Sequence, residues 1–237
     1  MNGTPLLILH GWGSNSGRWQ RVTDLLRKQE IEALVLDLPG FGIVSSPKRP
    51  WTRDDYINWI FQKAKERNWE KFNLLGHSFG GGLSVKIAVA FPEKVEKLIL
   101  CAPAIIRRKR LKTYLFYQLA HIGKKIFSFP GLKKLEPYAQ RLIYKLAGSR
   151  DYYVADGVMK ETMKKLGDEN LEDLLAKIKA PTLIIWGKKD DVLPLRDAQE
   201  LKEKIEGAEL KIISEVKHSP HREAPEELAE IISQFVK

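Results

Sequence analysis

The stretch Phe72-Asn73-Leu74-Leu75-Gly76-His77-Ser78-Phe79-Gly80-Gly81-Gly82 leads from a short, mostly apolar run through a glycine-rich turn into an apolar segment, residues 83–91. A short apolar run that ends at glycine is typical of a strand buried on both faces of a parallel sheet. Glycine suits the turn because a side chain there would collide with the adjacent strand and helix. The stretch therefore predicts a strand–turn–helix unit of an α/β fold.

The same alternation of short apolar runs and longer amphipathic stretches continues along the chain in both directions. Six runs are predicted to be strands: 6–9, 33–36, 72–75, 95–100, 182–186 and 210–213. Amphipathic stretches such as 54–67 and 195–205 lie between them and are long enough for crossover helices. This pattern predicts an all-parallel, six-stranded sheet with helices on both faces.

The alternation stops once, between Cys101 and Thr182, where the apolar residues follow the three-and-four spacing of helices. We expect residues 104–176 to form a helical cap on a core made of residues 1–103 and 177–237, because a structureless loop of that length is uncommon in a compact domain. Leu115, Leu119 and Ile122 of this cap are predicted to line an acyl pocket.

The composition excludes several classes of protein. The chain has 237 residues, of which 43% are apolar and one is cysteine, so it has enough apolar residues for a core and cannot form an internal disulfide. No run approaches the ~18 apolar residues of a membrane span, and no basic leader precedes the first strand. We expect a cytoplasmic protein without a metal or other cofactor.

Ser78 lies in a Gly-x-Ser-x-Gly turn between a strand and a helix, where a serine hydroxyl protrudes as a nucleophile. A serine needs a base, and His218, which follows the last strand, is our choice over His221, which is expected to cap or orient the next helix. The base needs a carboxylate partner. Asp190, in the turn after Gly187, is preferred to its neighbour Asp191, which would serve equally as a cap.

Acyl transfer also needs donors for the negative charge that develops on the carbonyl oxygen. The turn His10-Gly11-Trp12-Gly13 follows the first strand and offers backbone N–H groups. We expect the N–H groups of Trp12 and Phe79 to form an oxyanion hole together.

These motifs resemble those of the α/β-hydrolase superfamily over nearly the whole chain. The motifs that carry the resemblance, in the order of the family, are His10-Gly11-Trp12-Gly13, Asp37-Leu38-Pro39-Gly40-Phe41-Gly42, Gly76-His77-Ser78-Phe79-Gly80-Gly81, Trp186-Gly187-Lys188-Lys189-Asp190 and His218 to Pro225. The resemblance implies Ser78 as nucleophile, Asp190 as acid and His218 as base, with oxyanion donors at Trp12 and Phe79. Within the superfamily, the chain resembles carboxylesterases and, through His10 to Gly13, the carrier-protein methyl ester esterases.

One departure concerns the start of the sheet. Members of the superfamily usually carry an antiparallel hairpin before the strand that leads to His-Gly, and here that strand starts almost at Met1. The strand at residues 33–36 is therefore predicted to be a sheet edge. Either the nearby charges of Arg27, Lys28 and Glu30 deter pairing, or a second copy covers the edge in a homodimer.

The net charge of +10 is concentrated in the predicted cap, because residues 105–150 hold twelve lysines and arginines and one acid, Glu136. Three interpretations stay open: a solvated surface, attraction of an anionic substrate or acidic carrier protein, and adsorption to anionic lipid. Nucleic acid is disfavoured because no basic-aromatic fold signature accompanies the charge.

The predicted activity is hydrolysis of short to medium carboxylic monoesters through an acyl-enzyme, with lactones and thioesters as further substrates. A catalytically silent binding protein on the same fold is the alternative.

Overall fold

A computed structural model describes residues 3–106 and 157–237 of the chain. Its six strands are β1 (Leu6–Leu9), β2 (Ala33–Leu36), β3 (Phe72–His77), β4 (Val95–Cys101), β5 (Thr182–Gly187) and β6 (Glu209–Ile213). They form one sheet in the order β2-β1-β3-β4-β5-β6, and every neighbouring pair is parallel. The predicted six-stranded, all-parallel sheet is confirmed.

The helices that connect and cover these strands in the described residues are α1 (Gln20–Lys28), α2 (Arg53–Lys65), α3 (Phe79–Ala90), α4 (Gly157–Asp168), α5 (Leu195–Lys204), α6 (Pro220–Glu223) and α7 (Pro225–Val236). Short 3-10 helices span Ser16–Trp19, Pro92–Lys94 and Glu172–Lys177. The crossover helices expected at 54–67 and 195–205 correspond to α2 and α5.

The period of two in the strands divides the core into two layers. Leu7 and Leu74 are fully buried on one face, in a cluster that includes side chains of α2, α3 and α5. Leu6 and Leu75 are fully buried on the other face, in a cluster with side chains of α1 and α7. Helices on both faces explain why the central strands are apolar throughout.

The two ends of the sheet are β2 and β6. Residues 33–35 of β2 are half-buried, and this strand has a neighbour on one side only, as the sequence predicted for residues 33–36. A second copy that covers this edge stays a prediction. Ile212, on the opposite edge strand, exposes 42% of its surface.

The predicted cap falls largely on residues 107–156, which lie outside the described residues together with Leu115, Leu119 and Ile122. The division into core and cap stays a prediction. The described end of the segment contains α4, and Glu169 just after it binds Arg53 (2.9 Å) and Lys86 (2.6 Å) of the sheet-covering helices. Within the described residues, the helices are too short or too polar to cross a membrane.

Candidate active site

Ser78 lies between β3 and α3, at the carboxyl rim of the sheet where the strand order places the ends of β1, β3, β5 and β6 together. Its backbone has φ 51° and ψ −112°, a conformation that a non-glycine residue adopts only when its surroundings impose it. The Ser78 N–H donates to the Cys101 carbonyl at 3.1 Å, and the Ala104 N–H donates to the Ser78 carbonyl at 2.9 Å. These bonds to the end of β4 hold the strained turn in place.

The glycines at positions 76 and 80 allow this turn to pack. A Cβ at Gly76 would overlap the hydroxyl of Ser84, and one at Gly80 would overlap the carbonyl of Leu9 in β1. The helix α3 therefore starts directly against the sheet, which places Ser78 at its surface. The packing thus confirms the prediction that side chains at these positions would collide with the adjacent strand and helix.

His218, in the segment between β6 and α6, contacts both Ser78 and Asp190. Its Nε2 lies 3.1 Å from the Ser78 Oγ, and its Nδ1 lies 2.8 Å from Oδ2 of Asp190. The Asp190 side chain is fully buried, and its Oδ1 accepts the N–H groups of Val192 and Leu193, each at 2.8 Å. The carboxylate is thereby held in one orientation toward the imidazole.

The two alternatives that the sequence left open lie elsewhere. Asp191 is exposed and faces Lys217 at 3.8 Å. His221 stacks on Trp19, with ring centroids 4.3 Å apart and an angle of 3° between the rings. Neither ring nitrogen of His221 has a hydrogen-bond partner in the described residues, so the expectation that His221 caps a helix is wrong. Burial lowers its pKa to about 2.

The turn at residues 10–13 approaches Ser78 through Gly11, where a Cβ would lie 3.2 Å from the Ser78 Cβ. Phe79 is the first residue of α3, and the N–H at that position has no partner within its own helix. Within residues 3–106 and 157–237, the Trp12 N–H has no acceptor. Both N–H groups that the sequence proposed as oxyanion donors therefore belong to backbone that borders Ser78.

His10 fixes the conformation of this turn. Its Nδ1 donates to the Gly11 carbonyl at 2.8 Å, and its Nε2 accepts the Leu38 N–H at 3.0 Å. Burial lowers the pKa of His10, which favours the neutral ring that these two bonds require. The turn after β1 is thus tied to the turn after β2.

Asp37 is a structural residue of the site to which the sequence assigned no role. Its carboxylate accepts the backbone N–H groups of Ser16 and Ile43, and a Cβ at Gly42 would overlap it. Burial raises the pKa of Asp37, but the two N–H bonds outweigh this effect and leave the pKa below its ordinary value. The glycine at 42, in the same motif, was the signal that a side chain packs closely there.

Aromatic rings line the same region. Trp12 packs edge-on against Phe41 at 4.8 Å and against Phe79 at 5.4 Å between ring centroids. All three side chains are half-buried, so they present apolar surface beside the two N–H groups. The sequence named Trp12 and Phe79 for their backbone and missed this contact between their side chains.

Backbone contacts of the His218 segment were also missed. Glu223, in α6, accepts the N–H groups of Lys217 (3.0 Å) and Ser219 (3.2 Å). His77 donates from Nε2 to the carbonyl oxygen of His218 at 2.8 Å. The sequence did contain a signal for Glu223. Pro220 marks the start of α6, and acidic residues such as Glu223 favour the first turn of a helix.

Two other kinds of chemistry find little support in the described residues. Across 3–106 and 157–237, no group of three or more His, Cys, Asp or Glu side chains is arranged to hold a metal ion. Cys101 is buried, and burial raises the pKa of its thiol, which fits a packed apolar residue and not a reactive thiolate.

Comparisons with known proteins agree with the geometry. A family model described as serine aminopeptidase, S33, matches residues 4–225. The AB hydrolase superfamily protein YisY of Bacillus subtilis is 29% identical, over 99% of this chain and 92% of the relative. Lipase 3 of a Moraxella species is 25% identical, over 99% of this chain and 78% of the lipase. The solved structure of an esterase from Exiguobacterium antarcticum superimposes with a TM-score of 0.75 at 25% identity, over 99% of this chain and 92% of the esterase.

Proposed function

Since the chain belongs to the serine aminopeptidase, S33, family and is a hydrolase of the α/β-hydrolase superfamily, we propose that it cleaves carboxylic esters with Ser78 as the nucleophile. The observation that carries the proposal is the continuous contact from the Ser78 Oγ through His218 to the buried Asp190, at 3.1 and 2.8 Å. A serine hydroxyl becomes an effective nucleophile when a base lies within hydrogen-bonding distance.

In the proposed acylation step, the Ser78 Oγ attacks the ester carbonyl while its proton moves to Nε2 of His218. Asp190 accepts the Nδ1–H bond and stabilises the imidazolium that forms. The negative charge on the carbonyl oxygen is stabilised by the N–H groups of Trp12 and Phe79, and each such donor contributes roughly 2.7–4 kcal/mol to the transition state.

The tetrahedral intermediate then collapses, and the C–O bond to the leaving group breaks. His218 returns its proton to the departing alcohol, which leaves the acyl group on Ser78. In deacylation, His218 takes a proton from water, the hydroxide attacks the acyl carbon, and Ser78 is released with its proton restored. The net reaction is ester plus water to acid plus alcohol, with no metal or cofactor in any step.

Two observations favour an ester of modest size over a peptide. Trp12, Phe41 and Phe79 form an apolar surface beside the proposed oxyanion donors, which suits an alkyl or aryl acyl group. A lipase and an esterase are among the similar proteins. The proposal covers short to medium acyl monoesters first, and lactones and thioesters as further substrates that the same attack would open.

The experiment measures hydrolysis of p-nitrophenyl acetate and butyrate, and of an aminoacyl p-nitroanilide, by the wild type and by Ser78→Ala. We expect ester turnover well above anilide turnover, and a loss of about 10³-fold or more in Ser78→Ala. Equal ester rates in the two proteins would refute Ser78 as nucleophile and favour a silent binding protein. Faster cleavage of the anilide would refute the choice of ester.

The excess positive charge of residues 105–150 supports a second, narrower proposal, that the physiological ester is carried by an acidic protein or lies at an anionic surface. A one-signed surface raises the local concentration of oppositely charged partners, and salt screens the effect. We expect turnover of an acyl-carrier ester to fall steeply between 50 and about 500 mM NaCl while p-nitrophenyl acetate turnover stays constant. Salt-independent turnover of the carrier substrate would refute it.

The proposal includes a cytoplasmic location. Its support is that the chain has a single cysteine, Cys101, which is free and buried, and chains without disulfides suit a reducing compartment. Fractionation of cells that express the tagged protein tests this, and recovery with the membranes or the medium would contradict it.

A further inference from the structure

His77 is the last residue of β3 and precedes the proposed nucleophile, yet it takes no part in the mechanism above. Its side chain is buried, with 4% of the residue exposed. The ring points to the His218 segment, and the Nε2–H donates to the backbone carbonyl of His218 at 2.8 Å. Since Nε2 carries the proton, a neutral ring leaves Nδ1 unprotonated. Burial lowers the pKa of His77 to about 3, so the ring stays neutral.

The opposite side of the same ring lies against the turn that carries a proposed oxyanion donor. A Cβ at Gly11 would approach Nδ1 of His77 to 2.9 Å, so the Gly11 backbone is in close contact with this nitrogen. His221 and Trp19 pack on the ring at centroid distances of 4.9 and 6.0 Å. The imidazole therefore fills the space between the turn after β1 and the segment after β6, and its neighbours leave it little freedom to rotate.

We propose that His77 is a positioning residue that fixes the distance between the base His218 and the oxyanion turn through its Nε2–H bond to the His218 carbonyl. This inference rests on the proposed function. Glu223 holds the N–H groups of residues 217 and 219, on either side of the base. In the described residues, His77 provides the bond to the carbonyl of the base itself, so the peptide group that joins residues 218 and 219 is held at its C=O by His77 and at its N–H by Glu223.

The consequence concerns turnover more than substrate binding. His218 has to stay in contact with both Ser78 and Asp190 while it accepts and returns a proton. A shift of about 1 Å in a reacting group costs on the order of 10²-fold in rate. Loss of the Nε2–H bond removes one of the two anchors of the peptide group after His218 and lets the His218 backbone shift, while the aromatic surface that would contact the acyl group is unchanged.

Two substitutions separate the hydrogen bond from the ring. His77→Phe keeps the planar ring and removes the donor, whereas His77→Gln keeps an N–H donor at a similar reach. His221→Phe is the matched control, because it makes the same change in a neighbouring buried ring that has no hydrogen bond to protein in the described residues. Steady-state kinetics with p-nitrophenyl butyrate and the rate of inactivation by a fluorophosphonate are measured for all four proteins.

We expect kcat and the inactivation rate to fall between about 10- and 100-fold in His77→Phe, with KM within twofold of the wild type. The Gln variant recovers at least half of that loss on a logarithmic scale, and His221→Phe stays within about threefold of the wild type. An unchanged kcat in His77→Phe, or equal losses in the Phe and Gln variants, would overturn the inference. A wild type that neither hydrolyses the ester nor reacts with the fluorophosphonate would instead overturn the proposed function.

The tautomer of His77 provides a test that needs no folded variant. In ¹⁵N-labelled wild-type protein, the His77 ring is expected to carry its proton on Nε2, with a proton signal that exchanges slowly with water. A proton on Nδ1 would be incompatible with the bond to His218 and would overturn the inference independently of any kinetic result.

Discussion

The buried neutral histidines make the stability of this protein sensitive to mild acid. Burial lowers the pKa of His77 to about 3 and that of His221 to about 2, from an ordinary value of 6.5 in the unfolded chain. Below that value the unfolded state binds protons that the folded state does not, so the free energy of unfolding falls as the pH falls. The stability is fully present above pH 6.5 and is lost progressively toward the folded-state pKa values.

The size of the effect follows from these two values. Between pH 7.5 and 5.5, each such histidine lowers the free energy of unfolding by about 1.4 kcal/mol, so His77 and His221 together account for about 3 kcal/mol. His10, whose pKa burial also lowers, acts in the same direction. The carboxylates with lowered pKa values, such as Asp37, titrate below this range and contribute little to the difference.

The substitution His221→Phe isolates the contribution of His221 to the pH dependence of the free energy of unfolding. The ring is stacked on Trp19 and has no protein hydrogen bond in the described residues, so phenylalanine keeps the packing and removes the titration. Urea unfolding followed by tryptophan fluorescence at pH 7.5 and 5.5 gives the free energies. We expect the drop between the two pH values to be smaller by about 1.4 kcal/mol in the variant.

A control distinguishes lost titration from general destabilisation. Val216→Ala removes buried contacts in the same core layer and introduces no titratable group, so it is expected to lower stability equally at both pH values. If His221→Phe shows the same drop with pH as the wild type, the reasoning from burial to a neutral folded-state imidazole is refuted.

Three further substitutions test the turn, the ion pair and the carboxylate. Gly80→Ala is expected to lower the free energy of unfolding by about 3 kcal/mol or more, because its Cβ would overlap a backbone carbonyl of β1; Gly3→Ala, in open space, should leave the urea midpoint unchanged. Glu169→Gln leaves the buried Arg53 guanidinium with a weakened partner and should cost about 3 kcal/mol in the same assay, and an unchanged midpoint would show that the ion pair adds nothing. Asp190→Asn is expected to lower kcat for p-nitrophenyl butyrate by about 10⁴-fold with an unchanged circular dichroism spectrum, and retention of a tenth of the wild-type rate would contradict the role given to this carboxylate.

Much of the fold was predictable because its signals are local. Apolar runs such as 6–9 and 72–75 are short and are followed closely by glycine, which favours strands buried on both faces of a sheet, and parallel pairing follows from the helices between them. The location of the site at the carboxyl rim of the sheet was also predictable from local signals. Ser78, Asp190 and His218 each follow a strand, and parallel strands present their carboxyl ends on one side.

The choice between nearby residues of the same type depends on contacts that form only in the folded protein. Asp190 and Asp191 are both acidic and adjacent, and they differ only in which one the turn after Gly187 directs inward. His218 and His221 are three positions apart along the chain, and the stacking of His221 on Trp19 depends on a residue about two hundred positions away.

The positions of the strands along the chain, the glycine-rich turn around Ser78 and the sequence order of the chemical groups were encoded locally, because glycine spacing and short apolar runs act over a few residues. The order of the strands within the sheet was decided by pairing between segments that are distant along the chain. The contacts of His77 with Gly11 and with the His218 carbonyl, the two N–H bonds of Asp37 and the burial that keeps three imidazoles neutral arose only on folding. They join segments that are distant along the chain, and the free energy of a buried polar group depends on which distant segment excludes water from it.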